Sequence, residues 1–305
     1  MNMSNAGSAV TGSNKHVVRR GETADGTFEL VITPESAGWG YSSLRVLNLP
    51  AGGSAEFETG QDEMVLLPMS GSCTVATEGE KFELAGRRSV FSRVTDFAYL
   101  PRDASVRVSS AEGGRFALPA ARATRRLPAR YGPAEGVGVE LRGAGQASRQ
   151  VNNFCTPQTF EADKLIAVEV LTPAGNWSSY PPHKHDEERD GEARLEEIYY
   201  FEVGSGPSGE GIGYQRVYGS GPGREIDVCT EVRSGDTVLI PHGWHGPSMA
   251  VPGYPLYYLN VMAGPSPERA WLICDDPAHA WVRETWSGQP IDSRLPLTGV
   301  EERPA

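Results

Sequence analysis

Two histidines separated by a single residue, His183 and His185, place the strongest constraint on how this chain can fold. Successive side chains of a β-strand point to opposite faces, so both imidazoles project into the same space if this segment is extended. Glu197 opens the next run of β-branched and aromatic residues, and its carboxylate can reach the same point. His245 follows a further strand-like run, at a proline-glycine turn, and would supply a fourth ligand. The spacing therefore predicts a metal held by side chains from several strands.

The order His-x-His, glutamate and distant histidine on consecutive strands resembles the metal site of the cupin double-stranded β-helix. The second cupin motif, a glycine followed by five residues and a proline, stands at Gly235 to Pro241. The segment from Pro241 to His245 is one residue shorter than the common spacing, and the insert between His185 and Glu197 is longer than usual. The resemblance implies an all-β fold with the four ligands inside one barrel.

Three longer stretches resemble one family of cupins, the 5-deoxy-glucuronate isomerases of bacterial inositol catabolism. They are residues 176–186, 195–200 and 257–264, and the likeness runs from about residue 33 to residue 281. The resemblance implies an aldose–ketose isomerase that converts 5-deoxy-D-glucuronate to 5-dehydro-2-deoxy-D-gluconate in myo-inositol degradation. It also implies a bicupin, in which two jelly-roll modules pack back to back.

Glycine and proline are frequent, with 36 and 23 residues in a chain of 305, and they follow no repeat period. Such a composition indicates many turns between short strands. In the first half we predict strands at residues 28–32, 43–47, 64–67, 72–75, 97–100 and 105–108. In the second half we predict strands at residues 165–171, 179–185, 197–202, 213–218, 225–232, 237–240 and 256–262. Short strands at this spacing are typical of a sandwich or barrel.

The first half of the chain carries a faint internal repeat of the second. Residues 62–65 line up with residues 196–199, and residues 96–101 have the same spacing as residues 236–241. At the metal positions the first half has other residues, approximately Glu56, Glu58 and Ser105. We therefore predict five segments: an N-terminal arm (1–26), a metal-free cupin module (27–120), a linker (121–146), a metal-binding cupin module (147–290) and a C-terminal tail (291–305).

Charge and cysteine usage exclude several classes of protein. A formal net charge of −11 argues against a nucleic-acid or anionic-membrane partner, because these select basic surfaces. The four cysteines form no C-x-x-C pair, and the N-terminus has no apolar signal segment. No apolar run is long enough to span a membrane. A cytoplasmic protein acting on a small-molecule uronate is expected, and because cupin modules often pair through strand edges we expect a homo-oligomer.

Four other residues near the motif have competing interpretations. His242 is the alternative fourth ligand, but it stands where the motif has an outward residue, so the periodicity favours His245. Glu196 should face away from the metal and hold a loop or a partner subunit. Lys184 should also point outward, as a solvated or interface charge. His279 lies outside the ligand set, and we assign it no role beyond a cap or hydrogen bond.

Three neutral imidazoles and one carboxylate leave open positions on a divalent ion, which is the mark of a catalytic site. Zinc is the preferred metal, and manganese and iron are alternatives. Tyr258 and Tyr199 are candidates for the general base, as is a metal-bound hydroxide, and either a proton or a hydride could move. The resemblance places Arg149 beside the pocket, where it could bind the substrate carboxylate. Gln215 and Arg216 are further candidates, but neighbouring strand residues face opposite ways, so only one can line the barrel.

Three other functions remain open at this stage. The related ketol-isomerases of pectin-derived hexulosuronates have a similar ligand set. An iron-dependent cupin dioxygenase would also use three histidines and one glutamate. A non-enzymatic cupin would bind a sugar acid without turnover. Residues 176–186 resemble the isomerases rather than the last two classes.

Overall fold

The computed structural model describes residues 15–301 and consists mainly of β-strands, which confirms the predicted all-β class. The first strands in chain order are β1 (Val17–Val18), β2 (Phe28–Ile32), β3 (Ser42–Leu49), β4 (Ser54–Glu58), β5 (Asp62–Thr77), β6 (Glu80–Arg87), β7 (Phe97–Leu100), β8 (Ser105–Ser109), β9 (Gly114–Arg122) and β10 (Arg130–Gly132). One short α-helix, α1 (Pro34–Ala37), interrupts them; Thr33 caps it in a reciprocal capping box with Ser36.

The remaining strands are β11 (Gly138–Arg142), β12 (Arg149–Cys155), β13 (Ile166–Thr172), β14 (Trp177–Ser178), β15 (His183–Lys184), β16 (Glu196–Val203), β17 (Ser205–Gly206), β18 (Gly209–Glu210), β19 (Gly213–Tyr218), β20 (Asp227–Val232), β21 (Thr237–Ile240), β22 (Trp244–Ala250), β23 (Leu256–Ala263) and β24 (Cys274–Asp275). Short 3₁₀ helices lie at Ala134–Gly136, Gly145–Ala147 and Ala280–Gly288. None of the helices within residues 15–301 has the length and apolarity that crossing a membrane requires.

Strands β2 to β10 form one nine-stranded sheet around an apolar interior. Its core contains buried side chains that include Leu47, Met64, Leu66, Leu100 and Phe116. Strand β5 runs through 16 residues, where the sequence predicted two separate strands at 64–67 and 72–75. It pairs with β7 and β9 in its first half and with β6 and β8 in its second, so one strand bridges both halves of the sheet.

Two sheets form the second half of the molecule. The seven-stranded sheet has the order β1-β21-β16-β23-β13-β12-β11, and the six-stranded sheet has the order β20-β19-β22-β15-β24, with β14 paired to β22. An apolar cluster that includes Val168, Val170, Phe201 and Leu256 fills part of the space between them. Strand β22, which carries His245, was not predicted, because its glycine and proline residues mask the strand pattern.

The outer faces of the two halves pack against each other. A third apolar cluster combines first-half residues such as Val65 and Leu67 with second-half residues such as Ile198, Tyr257 and Leu259. Its members alternate along the strands with those of the interior clusters, as the pleat requires. Each half therefore has its own interior and shares a second core with the other.

Two carboxylates tie the halves together in a reciprocal way. Glu196, on β16, accepts hydrogen bonds from the backbone N–H groups of Gly40, Tyr41 and Ser42 at 2.8, 2.8 and 3.0 Å. Glu63, on β5, accepts hydrogen bonds from the N–H groups of Asp163, Lys164 and Leu165 at 2.8, 2.5 and 2.7 Å. The side chain of Glu196 thus faces away from the metal motif and holds a loop, as predicted.

The internal repeat is real in strand pairing but shifted by one residue from the predicted alignment. Leu100 precedes Pro101 as Ile240 precedes Pro241, and these two residues pair with Met64 and Glu197, respectively. Met64 therefore occupies the position of Glu197, and Glu63 occupies that of Glu196. Likewise Glu58, rather than Glu56, lies opposite Ser105 as His183 lies opposite His245. The position that corresponds to the carboxylate ligand is therefore held by an apolar methionine, which cannot replace a carboxylate in this ligand set.

The predicted arm and linker both add strands to the sheets. Residues 1–14 of the arm lie outside the described residues, whereas Val17 and Val18 pair with Val238 and Thr237 of β21. Within the predicted linker, β10 pairs with β7 of the first half and β11 pairs with β12 of the second. Segments of mixed composition can complete a sheet because edge pairing needs only backbone hydrogen bonds. The predicted segment boundaries stay predictions.

Candidate active site

Three of the four predicted ligands meet inside the second half of the molecule. Single ligand atoms of His185, Glu197 and His245 all lie within 4.8 Å of one another, and all three residues are buried. Oε2 of Glu197 lies 3.0 Å from Nε2 of His185 and 3.0 Å from Nε2 of His245. The His183 ring borders this group, with its centroid 4.5 Å from that of His245 and 6.5 Å from that of His185.

The backbone fixes the orientation of all three imidazoles. Nδ1 of His185 lies 3.2 Å from the Leu195 carbonyl, Nδ1 of His245 lies 3.1 Å from the Gly243 carbonyl, and Nδ1 of His183 lies 3.4 Å from the Pro181 carbonyl. A carbonyl oxygen only accepts, so each Nδ1 carries a hydrogen, and in the neutral form of each ring Nε2 presents a lone pair. Ligand histidines are commonly held in this way.

Burial and mutual contact shift the pKa values of the carboxylate and of two of the imidazoles. Burial by itself raises the pKa of Glu197, but the neighbouring His245 and His185 outweigh this effect and lower its pKa to about 2. Burial lowers the pKa of His185, yet its hydrogen bond to Glu197 and the carboxylate charge raise that pKa above its ordinary value. For His183, burial and the nearby His245 and His185 lower the pKa well below its ordinary value.

These residues fit a divalent cation. Nε2 of His245 is buried and not aligned for a hydrogen bond to Glu197, and it has no other partner within residues 15–301. Lone pairs and a carboxylate that face one another repel unless a cation lies between them. His242, the alternative ligand, instead has Nε2 3.4 Å from the Glu225 carbonyl and lies outside the group. His279 packs its ring near Tyr180, with centroids 6.4 Å apart.

A cavity of about 350 Å³ adjoins the metal residues on the side of His183. Its lining combines three arginines, one carboxylate, several polar groups and an apolar wall. The lining residues are Arg142, Arg149, Val151, Val170, Ser179, His183, Tyr258, Asn260, Trp271, Ile273, Asp275 and Arg283. The cavity is large enough for a six-carbon sugar acid.

Arg149 is the cavity arginine without a carboxylate partner among the described residues. Arg142 is paired with Glu140 at 2.8 Å, and Arg283 is paired with Asp275. Within residues 15–301 the guanidinium of Arg149 donates to backbone carbonyls alone, at 3.0 Å to Ala147 and at 3.4 Å to Tyr180. Burial, with repulsion from the other two arginines, lowers the pKa of Arg149 to about 10. An anion in the cavity would therefore be attracted chiefly by Arg149.

Tyr258 and Tyr199, the predicted catalytic tyrosines, stack on each other with centroids 4.8 Å apart. The Ser179 hydroxyl lies 2.9 Å from the Tyr199 hydroxyl and 3.0 Å from that of Tyr258. Burial raises the pKa of both phenols. Both tyrosines are therefore neutral at ordinary pH and can donate a hydrogen bond, and only Tyr258 of the two lines the cavity.

Of the pair Gln215 and Arg216, only the glutamine faces the interior, as the alternation of strand residues requires. Gln215 is fully buried, and its side-chain oxygen accepts a hydrogen bond from Ser248. Arg216 points outward, where it pairs with Asp227 and its side chain is 31% exposed. Neither residue lines the cavity beside His183.

Lys184 is buried, which corrects the predicted solvated charge. Its side chain does point away from His183 and His185, but residues 186–194 fold over it. Nζ lies 2.7 Å from Asp186, 2.9 Å from Glu187 and 2.7 Å from Glu192. Asp186 also accepts a hydrogen bond from the N–H of Gly243 at 2.9 Å, next to His245. At Gly243 φ is +98°, and a Cβ would meet the Tyr218 carbonyl at 2.6 Å, so glycine is needed there.

Several cavity residues were not identified from the sequence. Asn260 belongs to the stretch 257–264 that carries the resemblance, but nothing in the sequence indicated a role for it. Arg142 lies in the predicted linker, and Arg283 lies in the 3₁₀ helix Ala280–Gly288, near the end of the predicted metal-binding module, where no site residue was predicted. Asp275 pairs with His183 through β24, a two-residue strand that is too short to predict.

Comparisons with known proteins give consistent results. A model of the KduI/IolB family matches residues 16–282. The 5-deoxy-glucuronate isomerase of Geobacillus kaustophilus (strain HTA426) is 42% identical over 257 residues, which cover 83% of this chain and 90% of the relative. The 5-deoxy-glucuronate isomerase of Bacillus subtilis (strain 168) is 38% identical, with 83% and 92% covered.

Solved structures are similar over the same region. An IolB-like protein from Salmonella typhimurium LT2 aligns with a TM-score of 0.80 and 34% identity, covering 87% of this chain and 98% of the other. Oxalate decarboxylase from Lactobacillus farciminis aligns with a TM-score of 0.60 and 13% identity, covering 87% and 89%. The second likeness concerns the fold alone, and it confirms the cupin architecture.

Proposed function

The chain belongs to the KduI/IolB family, and we propose that it is a metal-dependent isomerase that converts 5-deoxy-D-glucuronate to 5-dehydro-2-deoxy-D-gluconate. Curated relatives that share 37–42% of their residues with it carry the name 5-deoxy-glucuronate isomerase. The observation that carries the proposal is the cavity, which has a metal-binding group at one side and an unpaired buried arginine in its lining. A sugar acid has two matching ends. One end carries an aldehyde next to a hydroxyl, and the other end carries a carboxylate.

Isomerisation moves hydrogen from C2 to C1 of the sugar, so that C2 is oxidised to the ketone while C1 is reduced to the alcohol. A divalent cation held by His183, His185, Glu197 and His245 would supply Lewis-acid stabilisation of the charge that develops on the oxygens of C1 and C2. Arg149 binds the carboxylate at the other end and fixes the chain in one orientation.

The two tyrosines support the reaction as hydrogen-bond donors. The raised pKa values of Tyr258 and Tyr199 make phenolate formation costly, so neither is suited to be the base unless its proton is removed by a partner. The hydroxyl of Tyr258 is at the cavity wall and linked to Tyr199 through Ser179. It can donate to a substrate oxygen and orient the sugar for transfer between C1 and C2.

The finer assignments follow from the same reasoning. Zinc is proposed as the metal because nitrogen-rich ligation suits it, with manganese or iron as alternatives. A role in myo-inositol degradation in the cytoplasm is proposed from the resemblance to the bacterial isomerases. A homo-oligomer is proposed because β20 is an edge strand that can pair with a second copy. The net charge of −11 supports a function that involves no nucleic acid.

The proposal is tested by turnover of two uronates. Purified protein, with its metal content measured by elemental analysis, is given 5-deoxy-glucuronate without oxygen, and in parallel the hexulosuronate substrate of the related ketol-isomerases. We expect ketose product from the first and much slower conversion of the second. Metal-loaded protein that forms no product from 5-deoxy-glucuronate would reject the proposal, and preference for the second substrate would favour the related activity.

The ligand set is tested by substitution against a matched control. His185→Ala and His245→Ala should each lower metal content and reduce turnover by at least about 100-fold, because each removes one of few ligands. His242→Ala, a neighbouring histidine outside the group, should keep both. Circular dichroism checks that the fold survives. Full metal occupancy in His245→Ala would show that this residue is not a ligand.

A further inference from the structure

The residues of the cavity wall are ordered along the seven-stranded sheet. On β23, Met262 lies opposite Glu197, Asn260 lies opposite Tyr199, and Tyr258 comes two residues before Asn260 on the same face. Tyr258 pairs with Val170 of β13, and Val170 pairs with Val151 of β12. Arg149 is two residues beyond Val151 on that face, farther from Glu197. Along this face the metal-binding residues are followed by the amide of Asn260, then by Val170 and Val151, and finally by the guanidinium of Arg149.

Asn260 lines the cavity, and its side-chain oxygen is an unused acceptor among the described residues. Its Oδ1 is buried and has no hydrogen-bond partner within the described part of the chain, and the residue is only 4% exposed. A buried polar atom without a partner is unfavourable, so a ligand group or a water must satisfy it. A hydroxyl on the middle carbons of a sugar chain would do so.

Val151 and Val170 offer no such partner. Both are buried, pair with each other across β12 and β13, and line the cavity between Asn260 and Arg149. A methylene group fits beside them, whereas a hydroxyl directed at them would lose its hydrogen bonds to water with no replacement from either valine. The carbon next to a carboxylate held by Arg149 is the one that would meet this pair.

We propose that Val151 and Val170 select the deoxygenated carbon of the substrate, so that the cavity accepts a uronate with CH₂ beside its carboxylate and disfavours the 5-hydroxy analogue. The inference rests on the proposed function. In this arrangement C1 and C2 lie at the metal-binding residues, and Asn260 accepts a hydrogen bond from a hydroxyl on C3 or C4. The two valines contact C5, and Arg149 binds the C6 carboxylate. Each part of 5-deoxy-glucuronate then has a counterpart of matching polarity.

The test compares 5-deoxy-glucuronate with D-glucuronate, which carries the additional hydroxyl. An apolar pocket disfavours an added hydroxyl by up to about 100-fold in kcat/KM. Val170→Thr and Val151→Thr keep the side-chain shape. Each places a threonine hydroxyl where it can form a hydrogen bond with the C5 hydroxyl of D-glucuronate. Each should reduce the ratio of kcat/KM for 5-deoxy-glucuronate to kcat/KM for D-glucuronate by about tenfold. The open-chain fraction of each sugar is the same for every variant, so it cancels in this comparison.

Val168→Thr is the matched control. Val168 lies on the same strand and the same face as Val170 and is equally buried, but it does not line the cavity. Its substitution should leave the ratio as it is in the unmodified protein. Either cavity variant alone tests the pair, so loss of one to misfolding leaves the other decisive.

Calorimetry measures the dissociation constants of the two sugars, and their ratio reports the selectivity without turnover. If the unmodified protein binds both sugars but converts neither, the proposed function fails while the selectivity can still be read from the dissociation constants. If Val170→Thr and Val151→Thr fold and keep the ratio of the unmodified protein by both measurements, the inference is overturned. It is also overturned if Val168→Thr changes the ratio as much as they do.

Discussion

At the scale of single residues, Arg149 combines a cost in stability with the role in substrate binding that we propose for it. Its guanidinium is buried, faces two other arginines, and has no carboxylate partner among the described residues. A buried cation of this kind is unfavourable for folding, and natural proteins keep such groups mainly where a ligand compensates them. We therefore expect Arg149 to lower the stability of the fold and to raise the affinity for the substrate.

Arg149→Gln should lower kcat/KM for 5-deoxy-glucuronate by about 10- to 100-fold, the loss expected for hydrogen bonds to a charged group. The same variant should melt at a higher temperature than the unmodified protein, because it removes an uncompensated buried charge. Steady-state kinetics and calorimetry measure the two effects. Arg216→Gln, on the outer face, is the matched control and should leave kcat/KM unchanged.

A purely structural role for Arg149 would reverse the second result. In that case the variant would melt at a lower temperature, and activity would fall together with the folded fraction. Unchanged affinity for the uronate in a well-folded Arg149→Gln would remove this arginine from the substrate site.

Individual residues also show what the sequence can reveal about a site. His183, His185, Glu197 and His245 could be predicted as ligands because period-two alternation and a known motif both constrain them. Asn260 was missed because a buried amide with an unused oxygen differs from a structural amide only by its surroundings. The local sequence pattern indicates the residue type and the face of the strand on which its side chain lies. It does not indicate which other segments of the chain pack against that side chain.

At the scale of elements, Lys184 illustrates the same limit. Alternation along β15 correctly directed its side chain away from the metal residues. Its burial depends on residues 186–194, which return over the strand and bring Asp186 and Glu192 to its ammonium group. The path of such an insert is decided by tertiary contacts, so the sequence alone favoured a solvated charge.

The repeat alignment failed by one residue for a related reason. Asp62-Glu63 and Glu196-Glu197 are both pairs of acidic residues, and matching them by type is the natural choice. Strand pairing instead matches Glu63 with Glu196, and both carboxylates bind backbone N–H groups of the opposite half. A shift of one residue exchanges the two faces of a strand, so register has to be read from pairing.

The segment after β9 provides a prediction on pH. Asp163 accepts hydrogen bonds from the N–H groups of Thr124 and Arg125 at 2.6 and 2.9 Å, which fixes the connection to the second half. Burial raises the pKa of Asp163, but the hydrogen bonds from Arg125 and Thr124 outweigh it and lower the pKa from 3.8 to about 2. A depressed pKa means that this carboxylate stabilises the fold above pH 3.8 and loses that effect as pH falls towards 2.

Asp163→Asn should therefore unfold at a lower urea concentration than the unmodified protein near neutral pH. The difference between the two midpoints should shrink as pH falls from about 4 to about 2. Glu161→Gln serves as the control, because that carboxylate lies in an exposed pair with Arg130. A difference that stays constant down to the lowest pH would show that the charge of Asp163 does not matter.

At the scale of the whole molecule, the two halves are joined by a buried ion pair as well as by the shared apolar core. Arg87, from β6, contacts Glu169, from β13, and both side chains are at most 2% exposed. Glu169 also accepts hydrogen bonds from Tyr257 at 2.9 Å and from Asn152 at 3.0 Å. This network lies between the first half and the strands that form the cavity wall, so we expect it to link the stability of one half to the shape of the site in the other.

Removing one partner of this pair should be far more harmful than removing both charges. Arg87→Met leaves the Glu169 carboxylate buried without its cation, which costs about 3–5 kcal/mol. In the double variant Arg87→Met with Glu169→Gln the unpaired charge is gone while the amide can still bond to Tyr257 or Asn152, so much of that loss should be recovered. Calorimetric unfolding of the three proteins at one pH measures both steps. A double variant no more stable than Arg87→Met would mean that packing around the arginine stem, rather than the buried charge, joins the two halves.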